Sequence, residues 1–322
     1  MRAFITGASG FIGSRLAARL VRDGWHVRAL VHSRALEDAA EIEKIQGDIR
    51  DGASLRAAMD GTDVLFHLAS ALGASRLKEE EFRAVNAGGA AAAIGAAVAA
   101  GVKRIVHFSS AGVLGHVADG KSAAEGHALD PRDAYDRTKL EGERIALEFA
   151  AGGAGVVVIR PGWVYGPGDR RTLKLFRAAA RKRVPAVGRG RTLQTPVYID
   201  DLIDGTLLCA AKGRSGEIYN LAGGEVLSVR EIVATVAEAA GTRPPRLAIP
   251  LLPAKAAAWT LDRIFSVAGK EAPLNPSRLA FFIHPKPLDI GKAVAELGYA
   301  PAWDFRHGAA TTAAWYRAQG WM

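Results

Sequence analysis

A single cysteine, three methionines and the absence of any long, purely apolar run set the first limits on this 322-residue chain. Cys209 stands alone, so it can build neither a disulfide framework nor a Cys/His metal cluster; no metal is expected, and a reducing cytoplasm is the expected compartment. No basic segment followed by an apolar core precedes the first apolar stretch, which begins at residue 2, so a secretory leader is not expected. The longest nearly uncharged run, 84–102, is mostly alanine, broken by Asn86 and four glycines. It reads as a buried helix, and no membrane span is expected. Acidic residues are the minority, 33 against 42 Lys and Arg, a net charge of +9. That balance admits phosphate-bearing ligands, nucleic acid or an anionic membrane surface and does not choose among them. With 49% hydrophobic and 23% charged residues the chain has the composition of a globular protein, long enough for a large domain with a smaller companion.

The stretch that organises the rest is the first. Residues 2–6 form an apolar strand that runs into Gly7-Ala-Ser-Gly10-Phe11-Ile12-Gly13. Gly7 permits a tight turn, Gly10 lets backbone approach a pyrophosphate, and Gly13 lets helix pack closely on strand. The amphipathic helix that follows, 11–22, would offer its N-terminal N–H groups to an anion. A second strand, 27–32, completes a βαβ unit. Where an NAD-selective fold places an acid to take the ribose hydroxyls, this chain has His32-Ser33-Arg34. Loss of the acid removes repulsion toward a 2′-phosphate, and Ser33 with Arg34 would bind one, which favours NADP over NAD.

Strand and helix keep alternating. Strands are expected at 44–47, 64–68, 102–110 and 156–160, and helices at 51–61, 84–101 and from Asp130-Pro131 onward. Such alternation implies an α/β fold, a Rossmann-type doubly wound parallel sheet, with ligands off the carboxyl ends of its strands. Gly7, Asp48, Ser70 and Ser110 fall at or just beyond those ends. Regular alternation stops near residue 165. The expected division is a dinucleotide-binding domain, 1–165, to which the chain returns at about 196–222, and a smaller mixed α+β substrate-binding region within 166–322. In that region a helix at 173–183 carries a basic stripe that reads as a solvated face, Ser228 and Glu231 form a capping box, and an apolar helix at 254–268 reads first as core, then as a lid or an interfacial membrane contact.

Taken in order, Thr6 to Gly13, Gly47-Asp48-Ile49, Phe66 to Ala69, Asn86 with Gly89, Phe108-Ser109-Ser110, Tyr135 to Lys139, Arg160-Pro161 and Val197 to Asp201 give the chain its likeness. It resembles, over nearly its whole length, the extended short-chain dehydrogenase/reductase family, the NAD-dependent epimerase/dehydratase superfamily. The resemblance implies that Tyr135 is the general acid/base, that Lys139 holds the ribose and lowers the phenol's pKa, and that Ser110, rather than Ser109, bonds the substrate oxygen. It implies cofactor contacts from Gly7, Gly10, Phe11, Ile12 and Gly13 at the pyrophosphate, Asp48 and Ile49 at adenine, and Leu68, Ala69, Ser70, Ser109 and Pro161 along the nicotinamide half. Asn86 either joins them or caps the alanine-rich helix. A free phenol titrates near 10, so a neighbouring ammonium is the physical means of making it a base near neutrality.

Two departures narrow the branch. Dehydratases of this family carry an Asp-Glu pair after the active-site Ser or Thr, where this chain has Ala111-Gly112. Many epimerases carry an Asn where this chain has Trp163, which is apolar apart from one N–H. Both departures, with the hydrophobic tail, make the chain look nearest the 3β-hydroxysteroid dehydrogenase and dihydroflavonol-reductase-like branches. The expected function is therefore an NAD(P)-dependent oxidoreductase interconverting a hydrophobic secondary alcohol and its ketone. The alternative is a nucleotide-sugar epimerase, for which the basic cluster ending in Arg189 and Arg191 would suit a diphosphate. A second alternative is a non-catalytic NADP-sensing or RNA-binding protein on the same fold, although Ser110, Tyr135 and Lys139 are all retained and nucleic acid is not the expected partner. Ala111, Trp163, Arg189 and Arg191 are the candidate substrate contacts, the partner is a small molecule, and the family likeness implies a homodimer through helices 87–101 and 135–150.

Overall fold

The structure is a computed structural model that describes residues 1–322 apart from 35, 37–39, 73–76, 119, 183–185, 189, 246–247, 268–271 and 273–275. Arg189 therefore lies outside the described residues. The first half alternates as β1 (Arg2–Thr6), α1 (Phe11–Arg22), β2 (His26–Val31), β3 (Ile42–Gln46), α2 (Gly52–Ala58), β4 (Val64–His67), α3 (Glu79–Arg83), α4 (Gly89–Ala99), β5 (Arg104–Phe108), α5 (Ala134–Ala151) and β6 (Val156–Pro161). The second half holds β7 (Trp163–Tyr165), α6 (Leu173–Ala180), β8 (Ala186–Val187), β9 (Leu193–Gln194), β10 (Pro196–Tyr198), α7 (Ile199–Lys212), β11 (Ile218–Leu221), β12 (Leu227–Ser228), α8 (Val229–Ala239), β13 (Ala248–Ile249), α9 (Leu251–Val267), α10 (Pro276–Ile283), α11 (Gly291–Leu297) and α12 (Phe305–Ala318).

Seven strands form one parallel sheet in the order β11-β6-β5-β4-β1-β2-β3. A parallel sheet is covered on both faces, which is why β6 reads Val-Val-Val-Ile with every one of those residues buried. One face, with Ile5, Phe66, Val106 and Ile159, packs on α1 and α7; the other, with Phe4, Leu65, Ile105 and Val158, packs on α2, α4 and α5. Strand order reverses on the two sides of β1, so the ends of β1 and β4 open a crevice for a ligand.

Several local expectations are corrected. The helix bearing Tyr135 begins at Ala134, not at Asp130: Asp130 N is tied back to Val113 O, and Asp133 is the cap, its carboxylate accepting from Asp136 N at 2.8 Å. The alanine-rich helix starts earlier, where Glu79, Glu80 and Glu81 favour a helix N-terminus, and runs through a π turn at Ala84–Gly88 into α4. Glu79–Ala99 is long and apolar enough to cross a membrane, yet half of its apolar window is buried within this protein. Residues 196–198 pair with β7 in a small sheet of their own, and the chain re-enters the main sheet only at β11.

The helix expected to be core, α9, buries only a narrow side. Ala254 and Ala258 are each 1% exposed in a cluster with Val187 and Leu279, whereas Leu252 and Trp259 face outward. Small residues on the inner side let α9 lie close on α10, and its bulk points away from the core.

Candidate active site

The carboxyl ends of β1 and β4 are locked together by side chains. Thr6 Oγ1 lies 2.7 Å from His67 Nδ1 and accepts from Ala69 N at 3.2 Å. Gly7 follows at φ +77°, and a Cβ there would lie 2.7 Å from Ala69 N; a Cβ on Gly13 would lie 2.2 Å from Gly7 O. These two positions need glycine for conformation and for close approach respectively. Gly10 caps α1 without a side-chain bond, so first-turn N–H groups stay available to an anion. Beside this loop a cleft of about 500 Å³ is lined by Gly7, His32, Asp48, Ile49, Ala69 and Ser70. A glycine cradle, a bare helix N-terminus and an apolar slot at Ile49 and Ala69 fit the pyrophosphate and adenosine of a dinucleotide. A larger open depression of about 1210 Å³ on the outer side of α1 contains, of the expected site residues, only Phe11.

The three residues after β2 are exposed, as a 2′-phosphate ligand would require. His32 Nε2 is 3.6 Å from Asp48 Oδ2, and Arg50 holds the same carboxylate through both oxygens, at 2.9 and 2.5 Å. Those bonds from Arg50 pull Asp48 well below the usual carboxylate range. Leu68, Ala69, Ser70 and Pro161 are half-buried along the strand ends.

At the end of β5 the two serines part. Strand alternation sends Ser109 inward with Ile105 and His107, where its hydroxyl donates to Glu143 at 2.5 Å; Glu143 is also held by buried Arg160. The Ser109 hydroxyl is thus committed to the core. Ser110 emerges on the other side, half-buried, as the cap of the 3-10 turn Ala111–Leu114, accepting from Gly112 N at 3.0 Å. Its hydroxyl and that of Ser70 both lie near the Tyr135 phenol and favour its ionised form. Ala111 is buried against Ala222 and Leu288. Asn86 neither caps a helix nor opens onto the cleft: at 1% exposure it accepts from Ser70 Oγ (3.0 Å) and Ala71 N (2.8 Å) and donates to Thr138 Oγ1 (3.1 Å). It stitches the loop after β4 to α5 and so aims Ser70 at Tyr135.

Tyr135 and Lys139 lie one turn apart on α5, as their spacing requires. The electrostatics differ from the expectation. Burial raises the phenol's pKa, the charge of Asp136 adds to that, and the opposing influences are the Arg171 guanidinium and the two serine hydroxyls. Lys139 is turned to Phe108 O at 2.5 Å and is buried, which lowers its own pKa to about 8 against the attraction of Glu143. Beneath it the rings of His67 and His107 stack at 5.1 Å; burial first, and then the charge of Lys139, hold both neutral, His67 at about 3.

Sequence reasoning missed three groups. Asp136 is buried beside Tyr135, its carboxyl raised by desolvation, and Lys286 lies 3.7 Å from it. Arg171 counted only as one charge of the basic cluster that ends in Arg189 and Arg191. Asp136 had a signal, its place inside the Tyr-x-x-x-Lys turn; Lys286, 150 residues onward, had none.

Aromatic residues of β7 and α10 pack together beside the core. Trp163 stacks with Tyr165 at 5.9 Å and meets Phe281 at 4.9 Å. Gln194 Nε2 donates to Phe281 O and His284 O, and Lys286 N donates to Leu193 O, so one short segment runs from Phe281, against Trp163, to Lys286 beside Asp136. Arg191 is exposed just before β9.

Residues 3–222, more than half of the chain, match the family described as NAD dependent epimerase/dehydratase. The chain belongs to that family. It is an NAD(P)-dependent dehydrogenase, reductase or epimerase of the extended short-chain dehydrogenase type. Among its relatives is a 4-hydroxy-2-methyl-3-oxo-4-farnesyl-3,4-dihydroquinoline-1-oxide ketoreductase of Stigmatella aurantiaca, 34% identical over 93% of this chain and 92% of its own. Another is a 3 beta-hydroxysteroid dehydrogenase/Delta 5-->4-isomerase of Mycobacterium tuberculosis, 32% identical over 93% of this chain and 86% of its own. Among solved structures, MoeE5 in complex with UDP-glucuronic acid and NAD superposes with a TM-score of 0.80 at 29% identity, over 99% of this chain and 100% of that one.

Proposed function

We propose that the protein is an oxidoreductase that interconverts a hydrophobic secondary alcohol and its ketone, with NADP favoured over NAD. The observation that carries the substrate class is the contact of Trp163 with Phe281, on a segment that continues to Lys286 beside Asp136. An aromatic face gains from covering apolar surface and offers a sugar diphosphate few partners. The ketoreductase and steroid dehydrogenase likenesses support the same class. The exposed Ser33-Arg34 pair supports NADP, and the region 166–322 would bind the substrate.

When bound, the nicotinamide supplies or accepts the hydride. The chain's own residues do the rest. Gly7, Gly10 and the first turn of α1 hold the pyrophosphate. Ser110 donates to the substrate oxygen and orients it. Tyr135 gives its phenolic proton to that oxygen on reduction and takes it back on oxidation. Burial raises the phenol's pKa, which suits a proton donor and thus the reductive direction. Arg171 is the cation that favours phenolate in the oxidative direction.

The test is nicotinamide absorbance with a panel of steroid, terpenoid and phenylpropanoid ketones and alcohols, offered with each cofactor. The reading requires turnover that falls by about 10²–10⁴-fold in Tyr135→Phe with cofactor binding intact. Silence on the panel together with epimerisation of a UDP-sugar would overturn it.

A further inference from the structure

An unusual surface lies away from the active-site residues. α9 turns Ala254 and Ala258 inward, while Leu252 (79% exposed), Trp259 (60%) and Ile264 (58%) stand on its outer side. Leu252 and Trp259 are seven residues apart, two turns along one line of the helix, and Ile264 is exposed about a third of a turn round from them. Leu251 and, on the strand just before, Ile249 extend the apolar band. Lys255 and Arg263 share the outer side, both exposed, and the Arg263 guanidinium lies over the Trp259 ring at 5.0 Å. Asp262, the one acid of this helix, is half-buried at its edge. Exposed Leu and Trp on a helix cost solvation unless something covers them.

We propose that α9 is an interfacial helix that seats the protein on an anionic lipid bilayer. A helix with Leu, Trp and Ile on its outward side and only cations among them suits the boundary between acyl chains and acidic headgroups. The chain's net charge of +9 adds long-range attraction to the same surface. α9 packs on α10 through its inner side, which leaves the outer side to the bilayer. The inference stands on α9 alone and does not need the alcohol and ketone reading.

The experiment is sedimentation of the full-length protein with vesicles of phosphatidylcholine alone and of phosphatidylcholine with phosphatidylglycerol. Binding to the anionic vesicles is expected to exceed that to neutral ones by at least about tenfold and to weaken with salt. The double variant Leu252→Glu, Trp259→Glu should lose at least as much while keeping cofactor binding, which reports its fold. Arg263→Glu, which leaves the apolar residues in place, should reduce the preference for anionic vesicles. Absence of binding to anionic vesicles, binding unchanged in the double variant, or a dimer that the double variant dissociates while vesicle binding persists, would each overturn the proposal.

Discussion

Replacing Lys139 with methionine should abolish activity and make the protein more stable at neutral pH. The ammonium is buried and titrates at about 8 instead of 10.5. At about 1.4 kcal/mol per pH unit, holding it charged costs the folded state about 3 kcal/mol at pH 7. Methionine of similar length fills the space without that cost. Against the gain stands the charge-assisted bond to Phe108 O, worth about 1.5–3 kcal/mol, so the variant should be more stable by about 1 kcal/mol. The pH dependence carries the sign. A lysine whose folded-state pKa is depressed is destabilising in full below about 8, and the cost fades as pH rises through 8 toward 10.5, where both states lose the proton. The variant's advantage, read by urea unfolding, should therefore be present at pH 7 and shrink or reverse at pH 10. A variant clearly less stable than the parent at pH 7, or an advantage that grows with pH, would refute the reasoning.

Other expectations follow from the same geometry. A Cβ on Gly112 would lie 1.7 Å from Asp136 Oδ1, so Gly112→Ala should displace the residue beside the phenol; a drop in kcat of at least about tenfold, with cofactor affinity within twofold, is expected in steady-state assays. Asp136→Asn removes a charge that raises the phenol's pKa, so the pH midpoint of alcohol oxidation should move down, and an unmoved midpoint would show that Asp136 does not act on Tyr135. Arg34→Ala should raise the Kd for NADP by about 10-fold and leave that for NAD unchanged in a fluorescence titration.

What could be read from the sequence was local. Gly7, Gly10 and Gly13 sit in one turn, Tyr135 and Lys139 one helical turn apart, and Asp51 and Ser228 next to the helices they cap; spacing along the chain reveals such features because the chain itself brings the atoms together. The strand ends that collect Ser70 and Ser110 at Tyr135 were also legible, since alternating elements imply the sheet and the sheet implies its carboxyl edge. Ser109 could have been excluded by extending the two-residue period of β5. Asn86 could not, because its role depends on a π turn and on Thr138 of another helix. Asp136 with Lys286, and Trp163 with Phe281, are joined only by tertiary folding. The phenol's raised pKa is a property of burial, which the i, i+4 spacing of a lysine does not report.

The most direct test of the central claim follows one hydrogen. The protein would be given reduced cofactor deuterated at the transferring carbon, with a hydrophobic ketone, and the product examined by mass spectrometry. The account predicts an alcohol carrying one deuterium at the carbinol carbon, formed by the native protein and not by Tyr135→Phe. Failure of the label to reach any ketone, with a nucleotide sugar epimerised by the same preparation, would contradict it.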